Sequence, residues 1–262
     1  MDILRRSSAP ISDAAWGEID SLASDYLKNA LSARFLVGAS SPKGWGHQAV
    51  SSGRLGEIKT KGSVSYGLYM VKPLLELRVP FELNVWELDN ASRGAKDVDL
   101  DVLEKAAAEV AAFEDGVLYD GLKEAGIEGI AAAGESGAVE FPGEPEKMAQ
   151  AVSTGVARLM QNGIEGPYNL AVPLDVWQQM KGYVKGMPLE QHIEKILGGE
   201  LIPARALKKP ILVSARGGDF EMTLGQDLSI GYSAHTTKTV TLYFTESFTF
   251  EIFEPRAILV FK

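Results

Sequence analysis

Residues 217–232 read Gly217-Gly218-Asp219-Phe220-Glu221-Met222-Thr223-Leu224-Gly225-Gln226-Asp227-Leu228-Ser229-Ile230-Gly231-Tyr232. Four glycines and three carboxylates lie among regularly spaced apolar residues. A metal loop, a phosphate cradle, or short strands joined by turns would each account for them. Spacing favours the last. Gly217-Gly218 and Gly225-Gln226-Asp227 have turn chemistry, and carboxylates on consecutive strands do not by themselves converge on a cation. Strands need partners, and two longer stretches supply them. In 74–88, Leu75, Leu77, Val79, Phe81, Leu83 and Val85 point one way, and Glu76, Arg78, Glu82 and Asn84 the other. Pro80 places that strand at an edge or a bulge. In 239–253, Val240, Leu242, Phe244, Phe248, Phe250 and Ile252 share a face.

Helical periodicity fills much of the rest. Residues 12–36 read as one amphipathic helix with Ser12 as its cap and Asp13 in the first turn. Trp16, Ile19, Leu22, Tyr26 and Ala30 form one face, flanked by Ala23, Leu27 and Leu31. That stripe is wider than a one-sided helix needs. Residues 100–125 read as a long helix with Asp101 and Glu104 as a capping box and Gly126 as its stop. Its buried stripe is Leu100, Leu103, Ala107, Val110, Phe113 and Val117. Further helices are expected at 145–162, 174–180 and 188–197, and strands at 168–172 and 211–215. The Gly/Ser-rich stretch 40–56 reads as a loop. A hairpin follows, 57–60 with 63–71, turning at Lys61-Gly62. It has little core of its own, so it is expected to lie on another surface. A fifteen-residue strand spans about 50 Å and the long helix about 40 Å, against a diameter of about 47 Å for a compact chain of this length. The subunit therefore reads as flat or elongated unless the strands bend.

The chain has 262 residues, 45% hydrophobic, with a net charge of −9 and no cysteine. That is enough to bury a large core. The negative charge argues against nucleic acid as a partner. Without cysteine there is no disulfide, thiolate metal site or cysteine nucleophile, which fits the cytoplasm. Neither a signal-peptide pattern nor a membrane-length apolar run is seen. His47, His192 and His235 have no partner at metal-ligand spacing. Asp97, Asp99 and Asp101 resemble the start of a calcium loop, but Val102 and Ala108 stand where a glycine and a bidentate glutamate are needed. They read as an acidic lead-in to a helix. Gly134-Glu135-Ser136-Gly137 misses a nucleophile elbow by one residue. Glu114-Asp115 reads as part of a solvated helix face, although paired carboxylates are also an acid–base signature. No metal site and no catalytic residues are assigned, so the chain reads as a non-enzyme.

Several stretches together resemble one family. They are Leu4-Arg5-Arg6-Ser7, Gly44-Trp45, Trp86-Glu87-Leu88-Asp89-Asn90, Phe113-Glu114-Asp115, Gly163-Ile164-Glu165-Gly166-Pro167-Tyr168, Arg216-Gly217-Gly218-Asp219-Phe220 and Gly225 through Tyr232. They run in order along the chain and resemble the encapsulins, the linocin- or bacteriocin-like shell proteins. The resemblance implies an α+β fold like that of tailed-bacteriophage major capsid proteins, with a peripheral domain, an axial domain and an extended loop. On that pattern, 1–50 begins the peripheral domain, 51–73 is the extended loop, 74–130 carries the spine helix, 131–224 is axial, and 225–262 returns to the peripheral domain. It implies many copies closing into an icosahedral cytoplasmic compartment, linked to iron storage or oxidative stress. The cargo would be a dye-decolorising peroxidase or a ferritin-like iron oxidase, docked by its C-terminal peptide. A secreted bacteriocin or protease, and a prophage capsid subunit, are the alternatives.

The same resemblance places a cargo-peptide groove at Leu27, Gly38 and Ile230. Some relatives have a larger aromatic near 27 and an acid near 38, so Leu27 and Gly38 depart from the pattern. A five-fold pore maps to Gly182, Tyr183, Val184, Lys185, Gly186 and Met187, with Tyr183 and Lys185 as its expected lining. Trp86 matches a tryptophan that stacks a flavin in a relative. The residues themselves favour a packed indole on a strand over a flavin contact, and no cofactor is required. Neither nucleic acid nor membrane is an expected partner.

Overall fold

A computed structural model of the chain describes residues 3–136, 139–185 and 187–262. In chain order its main elements begin with α1 (Asp13–Ala30), α2 (Ala33–Val37), β1 (Ala49–Leu55), β2 (Lys59–Lys61), β3 (Val64–Tyr66), β4 (Tyr69–Pro73), β5 (Leu75–Asn84), α3 (Val85–Ser92) and α4 (Asp101–Asp120). They continue with α5 (Pro145–Gln161), β6 (Tyr168–Pro173), α6 (Leu174–Gly182), α7 (Leu189–Leu197), β7 (Leu201–Ala204), β8 (Ile211–Ser214), β9 (Phe220–Leu224), β10 (Ser229–His235), β11 (Thr239–Ile252) and β12 (Ile258–Val260).

Strand β11 organises the larger sheet. One side pairs antiparallel with β5, from Thr239↔Asn84 to Phe248↔Leu75. The other is shared by β10, up to Thr245, and β9, from Phe248 onward. The even-numbered residues of β11 face α1 and α4 across one apolar core that includes Ile19, Leu103, Val110, Phe244 and Phe250. Among the described residues strand β5 pairs with β11 alone, so Pro80 lies on an edge strand that tolerates a missing N–H donor. A second sheet, ordered β7–β6–β8–β12–(Glu135–Ser136), packs with α5 and α7 around Met148, Leu170, Ile193, Leu212 and Phe261. Sheet membership crosses two expected boundaries. Strand β9, inside 131–224, joins the larger sheet, and β12, inside 225–262, joins the second.

The stretch 217–232 is strands and turns. Gly217 and Gly218 have φ of 86° and 83°. Their turn is closed by Arg216, which donates to both Asp219 carboxylate oxygens at 2.9 and 2.7 Å. Between β9 and β10, residues 225–228 replace the ladder and are held by Ser247. Gly225 N donates to the Ser247 carbonyl at 2.8 Å, and Gln226 N to Ser247 Oγ at 2.8 Å. A Cβ at Gly225 would lie 2.5 Å from Ser247 Oγ and 3.0 Å from the His47 carbonyl, so only glycine fits this close approach.

Several expectations need correction. The helix over 12–36 breaks after Ala30. Asp115 accepts hydrogen bonds from Ser32 N at 3.0 Å and Ala33 N at 2.9 Å, and so starts α2 as a new helix. The stretch expected to be a loop contains β1, which pairs with β4 from Ala49↔Pro73 to Leu55↔Tyr69. The long helix ends at Asp120, where Gly121 takes φ 86°. The capping box does not form. Leu100 is the cap residue without a side-chain bond, and Asp99 accepts from Asp101 N at 3.2 Å instead. Strand β5 ends at Asn84, whose side chain accepts from Trp86 N at 2.8 Å and caps α3. Phe113 is exposed, and Glu114 takes its place in the buried row with Leu103, Ala107, Val110 and Val117.

Candidate functional site: a groove over a buried ion cluster

Leu27 of α1 and Ile230 of β10 line one hollow of about 370 Å³. Phe244 of β11 forms part of its floor, and Phe35 of α2, 49% exposed, stands at its side. The rim is charged, with Arg6, Asp20, Lys28 and Asp227 among its residues. Arg6 pairs with Asp20 at 2.7 Å and lies 3.9 Å over the Trp16 ring. The N-terminal segment is tied across the sheet near this hollow. Tyr232 N donates to the Leu4 carbonyl at 2.8 Å, and the Tyr243 hydroxyl to the Ile3 carbonyl at 3.1 Å. Gly38 is not in this hollow. It lines a neighbouring one of about 300 Å³ with Asn169, Ser214 and Phe220, and Phe35 borders both.

Beneath the groove lies a charged cluster. Arg34 of α2 donates through Nε to Glu114 Oε1 at 2.9 Å and through Nη2 to Glu114 Oε2. Nη2 also reaches Glu246 Oε1 at 2.6 Å, and Nη1 reaches Asp227 Oδ1 at 3.2 Å. The side chains of Glu114 and Glu246 are fully buried, whereas that of Asp227 is 42% exposed. Glu246 Oε2 is buried without a hydrogen-bond donor among the described residues. Burial, followed by the facing Glu114 carboxylate, raises Glu246 well above the usual carboxylate range, and Arg34 offsets this only in part. Burial works against the Arg34 charge, but the Glu114 hydrogen bond and the surrounding carboxylates outweigh it and hold its pKa above the ordinary value. Next to the cluster, Asp115 also accepts from Ser32 Oγ at 2.5 Å, and that hydroxyl lies 3.0 Å from the Tyr119 hydroxyl. Burial raises Asp115, against the pull of its Ser32 and Ala33 hydrogen bonds. The solvated helix face expected for Glu114-Asp115 is thus overturned, since the two are 0% and 2% exposed.

Two other assignments fall elsewhere. Between α6 and α7 the backbone pairs Val184 with Pro188 and Lys185 with Met187, making a tight hairpin just after Gly182 and Tyr183. Gly186 lies outside the described residues. Trp86 is in the first turn of α3 and 69% exposed, so it is not a packed indole on a strand. Among the described residues no group of three or more histidine, aspartate or glutamate side chains is arranged to hold a metal ion, and no helix is long and apolar enough to cross a membrane.

A family model described as encapsulating protein for peroxidase (Linocin_M18) matches residues 1–249. The chain belongs to the encapsulin shell-protein family. The type 1 encapsulin shell protein of Mycobacterium tuberculosis is 37% identical over 253 residues, covering 95% of each chain. That of Rhodospirillum rubrum is 39% identical over 266 residues, covering 98% of this chain and 95% of its own. Among solved structures, a virus-like particle from Pyrococcus furiosus aligns with a TM-score of 0.67 at 16% identity, covering 94% of this chain and 98% of its own. The capsid of Myoviridae phage XM1 aligns at 0.55 and 11%, covering 90% of each. At those identities the likeness establishes the fold, which is that of tailed-phage capsid proteins. In this encapsulin-family chain, sequence reasoning missed Arg34, Phe35 and Glu246. Glu246 was visible as a carboxylate in the even-numbered apolar series of β11. Phe35 and Arg34 give no comparable signal, because the local spacing makes their helix continuous with α1.

Proposed function

We propose that the chain is the structural subunit of a closed icosahedral compartment in the cytoplasm. Many copies enclose a cargo enzyme, and the shell itself carries no catalysis. The full-length match to shell proteins carries this reading. A surface feature supports it physically. The β1–β4 excursion exposes Leu55, Ile58, Val64, Leu68, Tyr69 and Val71, with Leu68 79% and Tyr69 77% exposed. So much apolar surface on one projecting ribbon calls for a covering partner, and in a shell a second copy supplies it.

The groove bearing Leu27 and Ile230 is the proposed dock for a short C-terminal tail of a dye-decolorising peroxidase or a ferritin-like iron oxidase. Gly38, in the adjoining hollow, extends it past Phe35. Burial contributes about 25 cal/mol per Å² before ordering costs, so one tail binds weakly. Many sites facing one lumen make the capture effective. Residues 182–187 are the proposed pore segment around a five-fold axis. Size-exclusion chromatography and negative-stain microscopy of the purified chain test the assembly, with closed shells expected. A small stable oligomer overturns it. The mass and identity of the co-purifying protein test the cargo class.

A further inference from the structure

The Arg34 cluster has one guanidinium facing three carboxylates, two of them sealed from solvent. Four elements meet there: α2 through Arg34, α4 through Glu114, the turn before β10 through Asp227, and β11 through Glu246. Asp115 and Tyr119 of α4 lie next to it, both tied to Ser32. From the groove side, α1 contributes Asp20 and Lys28 to the rim, and Arg6 joins them from the N-terminal segment. The β5 partner of Glu246 is Leu77, which brings no charge. Arg34 donates to both oxygens of Glu114 and to one oxygen of Glu246, and among the described residues none donates to the buried Glu246 Oε2. A buried carboxylate oxygen without a donor is costly, and a proton on it removes the cost if the neighbouring acid can accept the hydrogen bond.

We propose that Glu246 keeps a proton at neutral pH, donates it toward Glu114 and, with Arg34, forms a pH-sensitive lock that holds α2 against α4 and the sheet beneath the groove. The proton supplies the hydrogen bond that Glu246 Oε2 otherwise lacks and leaves the Glu246 side chain neutral. Alkaline solution removes it. Two buried anions then face each other, and α2, which carries Phe35 on the groove wall, loosens. Because Glu246 stands above the ordinary carboxylate value when folded, folding takes up a proton in the interval between the two values. Its contribution to stability falls as pH rises through that interval, and the full penalty is present above the folded value.

The test compares wild-type protein with Glu246→Gln in denaturant titrations from pH 5 to pH 9. The glutamine amide can donate to Glu114 at every pH and keep an oxygen on Arg34. Wild type is expected to lose stability relative to the variant as pH rises, by up to about tenfold in the folding constant per pH unit inside the titrating interval. Parallel curves overturn the proposal. If the variant does not fold, solid-state ¹³C spectra of wild-type shells labelled at the glutamate δ-carbon decide, since this label leaves Asp115 silent. A protonated glutamate carboxyl at pH 7 that disappears on alkaline titration supports the lock. Glutamates that are all ionised at pH 7 refute it.

Discussion

Replacing Arg34 by methionine isolates the charge at the centre of the fold. Methionine keeps most of the aliphatic stem and removes the guanidinium that reaches Glu114, Glu246 and Asp227. Asp227 is 42% exposed and can turn to water, whereas Glu114 and Glu246 have no exposed side-chain surface. Removing one partner of a buried ion pair typically costs about 3–5 kcal/mol, because the remaining charge is stranded. Unfolding entropy near the midpoint is about 2.1 cal/mol/K per residue, hence about 0.55 kcal/mol/K for 262 residues. Arg34→Met should therefore lower Tm by about 5–9 °C.

Calorimetry at equal subunit concentration is the appropriate assay, since assembly shifts Tm by mass action. The penalty should narrow at acidic pH, where the stranded carboxylates are neutralised. It should also be non-additive. Arg34→Met combined with Glu114→Gln removes the cation and its main anion together, and should be more stable than Arg34→Met alone by about 2 kcal/mol. A loss below about 1 kcal/mol, the scale of an exposed ion pair, would refute the claim that this cluster is a buried structural unit. So would a double variant that is merely additive.

The groove and the projecting ribbon give two more predictions. Ile230→Asp puts a charge into the apolar wall opposite Phe244 and should abolish cargo loading. Ile230 is only 4% exposed and also packs the core, so some loss of stability is expected, and Leu27→Asp tests the same groove from α1. Unchanged loading of co-expressed cargo in both variants counts against the groove, as measured by the protein content of purified shells. Deleting residues 57–67 leaves Gly56-Leu68 as a two-residue turn between the paired Leu55 and Tyr69. The subunit should stay soluble but fail to form closed shells by electron microscopy, and normal shells would falsify the role given to the ribbon.

Where only one face of a strand is apolar, the sequence carries it. The alternation in 74–88 and 239–253 identified the two strands that pair along ten residues, because a sheet with one apolar face leaves a period of two in the chain. The motifs around Gly225-Gln226-Asp227 pointed to a turn, and the turn is there. What periodicity could not show was a polar residue placed on purpose in an apolar row. Glu114 continues the spacing of Leu103, Ala107, Val110 and Val117, and Glu246 continues Val240, Leu242, Phe244, Phe248 and Phe250. Each looked like an interruption, or like the solvated side of its element. Only the fold brings the two interruptions to a single arginine. That arginine hid for a related reason. The break after Ala30 depends on Asp115, 83 residues from Ser32, so no local signal separates α2 from α1. The same distance explains why Leu27 and Ile230 share a hollow while Gly38 falls into the next one. The break turns the chain between 30 and 33, and positions that a straight helix would align are redistributed around Phe35. A carboxylate at an apolar-face position on two separate elements, together with one unassigned arginine, is therefore a sequence signature for a buried ion cluster. Here it marks the joint between the helices and the sheet.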